Sequence, residues 1–229
     1  LRVTSGAFQA SETLTGGTSG ATATLADVRL TISGRVVAVS GVVGVTIEGL
    51  RLTGGNASRS GNSIPMHIAS ETGTGGGIAI EDATATLIRL TIDHNIASSA
   101  SGPPEHMGFG GGVFANRASV VMRDCTVEAN NANPRWWGYG HGVAFYYSQI
   151  VLERNTIANN VGGGVEGWQG FGNAYGVAAY IYNTTGSLQG NTISGNGQLV
   201  TDAGNVVGFA GAGPLQLVGN RFEGNEGRV

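Results

Sequence analysis

Residues 110–130 read GGGVFANRASVVMRDCTVEAN, and residues 140–160 read GHGVAFYYSQIVLERNTIANN. The two stretches superpose without a gap. Blocks 75–95, 176–196 and 205–225 fall on the same frame, with Ile92, Val127, Ile157, Ile193 and Phe222 as a shared anchor. Block 35–55 fits more loosely on Leu52. Three residues past the anchor stand Asn95, Asn130, Asn160, Asn196 and Asn225, while the first block reaches its Asn one residue late, at Asn56. A repeat of this kind decides the architecture before any single residue does.

Inside a block the apolar period is two, the signature of a strand with one buried face. The positions seven and five before the anchor are Val45/Ile47, Ala85/Leu87, Val120/Met122, Ile150/Leu152, Gly186/Leu188 and Leu215/Leu217. Ile78/Ile80, Val113/Ala115, Val143/Phe145 and Ala179/Ile181 open their blocks in the same way, and a third short strand ends on the anchor. Three short strands separated by Gly, Asn, Ser and Thr cannot bury their apolar edges alone and must stack on the next copy. The expected fold is all-β, a β-solenoid of three strands per coil. A looser N-terminal coil in 1–34, ending near Ile32, brings the count to about seven coils and the rod to roughly 34 Å at the spacing of paired strands. The chain is expected to be a single domain, 1–229, with regular repeats over 35–225.

Equal repeat positions stack as ladders. Asn155, Asn191 and Asn220 precede the anchor by two and are expected to bond inward from coil to coil, with Cys125 and Leu90 continuing the column as core. Arg89, Asp124 and Arg154 read as a surface ion-pair ladder, and Thr91, Thr126, Thr156 and Thr192 as an outward Thr column.

Composition excludes several classes. The chain has 229 residues, 41 of them Gly, with a net charge of -3. Its twelve basic residues are all Arg, so there is no Lys for a Schiff base and no basic run for phosphate backbones. No nucleic-acid partner is expected. No stretch reaches the ~20 consecutive apolar residues of a membrane-crossing helix. The single Cys125 forms no internal disulfide, and the start at Leu1 without a signal-peptide pattern fits a mature or excised piece.

The Gly75-Gly76-Gly77-Ile78 and Gly110-Gly111-Gly112-Val113 openings resemble the GGA[ILV] motif of polymorphic outer-membrane protein repeats. Phe222-Glu223-Gly224-Asn225, Ile92-Asp93-His94-Asn95 and Ile193-Ser194-Gly195-Asn196 resemble its FxxN motif, with the literal Phe only at Phe222. Over about residues 35–225 the chain looks like the right-handed parallel β-helix superfamily of pectate lyases, autotransporter passengers and phage tailspikes. The resemblance implies a right-handed parallel β-helix at the cell surface or outside the cell. That scaffold carries adhesins, structural fibres and polysaccharide enzymes alike, so function must come from the site.

Insertions of unequal length at 57–74, 96–109, 131–139, 161–175 and 197–204 leave the repeat at one turn and emerge on one side of the rod. They hold Trp136, Trp137 and Trp168 together with Phe109, Tyr139, Phe171 and Tyr175. Phe114, Tyr146, Tyr180, Tyr182 and Phe209 are expected beside them as an outward aromatic strip. Such a face stacks on sugars or anchors a protein partner, or buries its rings as a satellite core. The expected partner is a polysaccharide or a cell-surface protein.

No catalytic residue is expected of a binding module. In the alternative, a polysaccharide lyase or glycoside hydrolase, Asp93 and Glu128 share an outward position in adjacent coils. There they are either two solvated surface acids or a carboxylate pair able to do acid/base work on a glycosidic bond. His141, Glu166 and Arg135 come from the insertion side, as base and as a partner for an acidic sugar. The four His show no metal-ligand spacing and no dense Asp cluster for Ca²⁺ is present, so no cofactor is expected. Neither end carries a capping pattern, which predicts a segment of a longer protein or a homo-oligomer such as a head-to-tail filament.

Overall fold

The computed structural model describes residues 13–15, 22–24, 34–58, 73–99, 107–134, 137–162, 174–198, 206–211 and 213–226. Among them every regular element is a strand. Three sheets of six parallel strands run the length of the rod. Sheet A stacks Val37–Ser40, Ile78–Glu81, Val113–Asn116, Val143–Tyr146, Ala179–Tyr182 and Val207–Ala210. Sheet B stacks Val45–Glu48, Thr84–Ile88, Ser119–Arg123, Gln149–Glu153, Thr185–Gln189 and Leu215–Val218. Sheet C stacks Arg51–Thr53, Thr91–Asp93, Thr126–Glu128, Thr156–Ala158, Thr192–Ser194 and Arg221–Glu223. Five spacings between six coils give a rod of roughly 24 Å.

In sheet C the register is the one the repeat sets, while in sheet A the end coils sit one residue off the gapless frame, Val37 against Ile78 and Phe209 against Ile181. Leu52 pairs with Ile92, Ile92 with Val127, Val127 with Ile157, Ile157 with Ile193 and Ile193 with Phe222. The core fills the space between the three sheets with the alternating residues of each strand, Ile80, Leu87 and Ile92 in one coil and Phe145, Leu152 and Ile157 two coils on. Sequence did not anticipate a fourth, short sheet D, made of Gly73–Thr74, Gly108–Phe109, Gly138–Tyr139 and Ala174–Tyr175, where the insertions return to the rod. A Cβ at Gly108 would fall inside the Ala132 carbonyl, so that return requires glycine.

The turns explain the glycine content. Between sheets A and B each coil has a left-handed residue directly after its sheet A strand, Gly41, Asp82, Arg117, Tyr147, Asn183 and Gly211, with φ from 44° to 64°. Between sheets B and C the same holds for Gly49, Arg89, Asp124, Arg154, Gly190 and Gly219. Outer coils use glycine there, and inner coils hold L residues in a conformation that costs them roughly 1–2 kcal/mol each.

Two amide ladders tie the coils together. The Asn130 side chain accepts from the Asn95 N–H at 3.0 Å and donates to the Ile92 carbonyl at 2.8 Å, and Asn160 and Asn196 repeat this. Asn155, Asn191 and Asn220 do the same between sheets B and C. Cys125 stands in that column, where its thiol takes the Leu90 N–H at 3.4 Å and faces the Leu87 carbonyl at 3.5 Å. Burial pushes this thiol up to about 11.

The ends are unlike. In the first coil Val37, Val39, Val45, Ile47 and Leu52 are 1–4% exposed, whereas in the last coil Phe209 is 46%, Leu217 47% and Phe222 36% exposed. A head-to-tail filament would therefore meet one open apolar end and one covered one. Phe209 pairs with Ile181 and so continues the inward column, which corrects its expected place on the outward strip. Most of the looser N-terminal coil lies outside the described residues. Thr13–Thr15 and Thr22–Thr24 within it pair antiparallel, unlike the parallel coils.

Candidate functional site

The outer face of sheet A becomes aromatic over the third, fourth and fifth coils. Phe114, Tyr146, Tyr180 and Tyr182 project from its strands, and Phe109, Tyr139 and Tyr175 reach them from sheet D. Parallel register makes the sheet D rings a stack along the rod, Phe109 on Tyr139 at 4.9 Å and Tyr139 on Tyr175 at 5.0 Å, tilted by 10° and 12°. Tyr180 meets Tyr139 edge-on at 5.2 Å, and Tyr146 lies between Tyr180 and Tyr182 at 5.7 and 5.5 Å.

This cluster is both a satellite core and a surface. Phe109, Phe114 and Tyr146 are buried with Met107, Ala79 and Ala144. Trp137, Tyr139, Tyr180 and Tyr182 are half-buried on its flank, and Tyr175 is 37% exposed. Burial pushes the Tyr139 hydroxyl up to about 12 and raises Tyr146 well above its ordinary value, so both remain neutral hydrogen-bonding groups at any physiological pH. The outer rings present flat apolar faces with polar rims. Trp136, Trp168 and Phe171, expected on this face, lie outside the described residues.

The expected acid/base groups are placed differently. Asp93 and Glu128 are register partners, as the repeat requires, but Asp93 is 1% exposed and already engaged. Arg51, in the preceding coil, holds both its oxygens, Nε to Oδ1 at 3.0 Å and Nη2 to Oδ2 at 2.5 Å, and the His94 ring lies 2.8 Å from Oδ2. Burial raises this carboxyl, but the Arg51 and His94 hydrogen bonds outweigh it and the net shift is downward. Asp93 is therefore an ion-paired carboxylate.

His141 is fully buried. It replaces the glycine of Gly76 and Gly111, and its Nδ1 accepts the Ala132 N–H at 3.0 Å. Burial lowers it to about 3, so the ring is a neutral plug satisfying a backbone donor rather than an accessible base. Glu166 and Arg135 lie outside the described residues.

One carboxyl escaped the sequence reading. Glu81 ends its sheet A strand beside Asn116, in the column that continues to Tyr146 and Tyr182. Half-buried, it is raised by burial, against the lowering effect of Arg35 and Arg117. The Arg35 guanidinium donates to the Thr74 carbonyl at 2.7 Å at the edge of sheet D. The outward column Ser40, Glu81, Asn116, Tyr146, Tyr182 was available in the sequence as the last position of each first strand. Among the described residues no group of three or more His, Cys, Asp or Glu is placed to hold a metal ion. Nor is any helix there long and apolar enough to cross a membrane.

Comparison with known families agrees with this geometry. The model of the family described as "Right handed beta helix region" matches residues 18–228. The chain belongs to the right-handed β-helix family. No curated protein and no solved structure matches it. Family membership fixes the right-handed parallel coil, and the likeness to polymorphic outer-membrane protein repeats stays a resemblance of short motifs. In this right-handed β-helix the repeat itself accounts for the ladders and the core, and the aromatic cluster lies where the chain departs from it.

Proposed function

We propose that this β-helix is an extracellular or cell-surface structural and adhesive module that holds a polysaccharide against the aromatic face of sheet A. The observation that carries this reading is the ring cluster of coils three to five, where an inner layer is buried and Trp137, Tyr175, Tyr180 and Tyr182 stand over it at the surface. A satellite core alone would be complete with Phe109, Phe114 and Tyr146. The outer rings, Trp137 from the fourth coil and Tyr175, Tyr180 and Tyr182 from the fifth, offer flat faces, and the tyrosines add phenol groups for sugar hydroxyls. A polysaccharide partner in turn places the module outside the cell or on its surface.

A second reading, a polysaccharide lyase or glycoside hydrolase using the same face, is supported by Glu81, a raised carboxyl at the edge of the strip. The carboxylate next to it among the described residues, Asp82, is held by Arg117 at 2.8 and 2.7 Å. Paired carboxyl groups are what glycoside hydrolysis ordinarily needs.

Trp137 packs against the aromatic cluster, so its emission reports on this face. Titration with neutral and acidic polysaccharides, following Trp emission and reducing ends together, tests both readings. A saturable shift with no new reducing ends is expected. New reducing ends that vanish in Glu81→Gln would establish the enzyme instead.

A further inference from the structure

On the other side of the A–B turn from the aromatic strip runs a shallow groove of about 740 Å³. Its floor is the start of the sheet B strands, and its walls are the Asp82–Arg117 pair and the ring of Tyr147. We propose that this groove is a second binding site, for a neutral oligosaccharide lying along the rod.

Four observations point to that ligand class. First, Ser119, Gln149 and Thr185 stand in register in successive coils, with their backbone N–H groups committed to the coil-to-coil ladder. Among the described residues nothing takes their side-chain hydroxyl and amide groups. A row of uncommitted donors and acceptors at strand spacing suits a ligand that carries hydroxyls at regular intervals. Second, Tyr147 holds φ 47°, a conformation uncommon for a bulky residue, and still leaves its ring 40% exposed. Its column offers Gly41 and Gly211 as unstrained alternatives. Strain kept for an exposed ring points to use of the ring. Its edge-on contact with Tyr182, at 5.4 Å and 76°, fixes its orientation as the groove wall.

Third, the groove has balanced charge. Asp82 takes the Arg117 guanidinium with both oxygens, so a uronate or phosphate meets no spare cation there, whereas an uncharged sugar meets a polar rim. Fourth, the flooring strands are hydrogen-bonded to both neighbouring coils, so no strand edge is open to a peptide.

The test is ¹⁵N–¹H correlation spectroscopy of the protein titrated with cellohexaose, mannohexaose and xylohexaose, and with hexagalacturonate as the acidic comparison. The expected result is a saturable shift of the Ser119, Tyr147, Gln149 and Thr185 amides with at least one neutral hexamer. Tyr147→Gly, which suits the turn and leaves the rest of the spectrum in place, should weaken that binding at least about tenfold. Tyr175→Ala, on the aromatic strip, should leave the saturation of the Ser119, Tyr147, Gln149 and Thr185 amides unchanged, whatever it does to the strip amides. Shifts confined to the strip amides, a stronger response to hexagalacturonate, no saturable shift with any neutral hexamer, or undiminished binding by Tyr147→Gly would each overturn the proposal. The strip has its own variant, so failure of this groove and failure of the aromatic face are read separately.

Discussion

Replacing Asn160 by Ala removes the centre of the longer amide ladder, and the cost follows from the bonds lost. The Asn160 Oδ1 accepts the Asn130 N–H at 3.0 Å and the Asn130 Nδ2 at 3.2 Å, while its own Nδ2 donates to the Val127 carbonyl and to Asn196 Oδ1, each at 3.0 Å. Asn130 and Asn160 are fully buried, so the Asn130 donors left behind have no water to turn to. At about 1–3 kcal/mol for each orphaned buried group, two orphans and a vacated side-chain volume cost about 4 kcal/mol. That is a large share of the ~5–15 kcal/mol that stabilises an ordinary domain. Asn225 makes the equivalent bonds at the last coil but is half-exposed, so water replaces them and Asn225→Ala should cost about 1 kcal/mol. Guanidinium unfolding followed by far-ultraviolet circular dichroism measures both. Equal costs for the two variants, or less than about 1 kcal/mol for Asn160→Ala, would refute the ladder as a buried, mutually satisfied network.

Other expectations follow from the same geometry. Cys125→Asn should complete the Asn155 column with full-strength hydrogen bonds and raise the unfolding midpoint by about 1 kcal/mol of stability, and the wild-type thiol should react with aromatic disulfides only on unfolding. His141 is neutral when folded, so below its ordinary value of 6.5 the unfolded chain takes up a proton that the native state refuses. Stability is then full above about pH 6.5 and falls by about 4 kcal/mol as pH drops to about 3. His141→Gln, which does not titrate, should flatten that slope in urea unfolding across pH. Ala129 holds φ 53° in a column shared with Gly54, Gly195 and Gly224. Ala129→Gly should therefore stabilise by about 0.5–1 kcal/mol in thermal unfolding, the relief of strain exceeding the added chain entropy.

What was legible in the sequence is what repeats. The anchor column, the strands of sheets B and C and both Asn ladders are periodic and appear in the structure at the positions the alignment gives, whereas in sheet A the first and last coils pair one residue off the frame, Val37 with Ile78 and Phe209 with Ile181. What was not legible depends on contacts the period does not encode. Asp93 looks like a solvated outward acid until Arg51, in the preceding coil, is seen to close over it. His141 looks like a reactive intruder among glycines, yet its ring fills space above Gly138 and caps the Ala132 N–H. Phe209 was placed on the strip because the gapless frame aligns it with Tyr180, but the last sheet A strand pairs one residue off that frame and sets Phe209 against Ile181 in the inward column. Tyr147 was passed over because it sits at a left-handed turn, where a rule of alternating faces has no prediction to make. Sheet D is two residues deep, too short for any period to show.

The aromatic face is the central claim, and calorimetric titration of wild type and of a Tyr175→Ala/Tyr180→Ala variant with the same panel of polysaccharides tests it most directly. Both rings lie outside the buried layer, so the variant should keep the wild-type circular dichroism. The account predicts saturable binding of at least one polysaccharide by the wild type and a loss of about tenfold or more in the variant. Equal affinity in the two proteins, or no binding of any polysaccharide by the wild type, would contradict it.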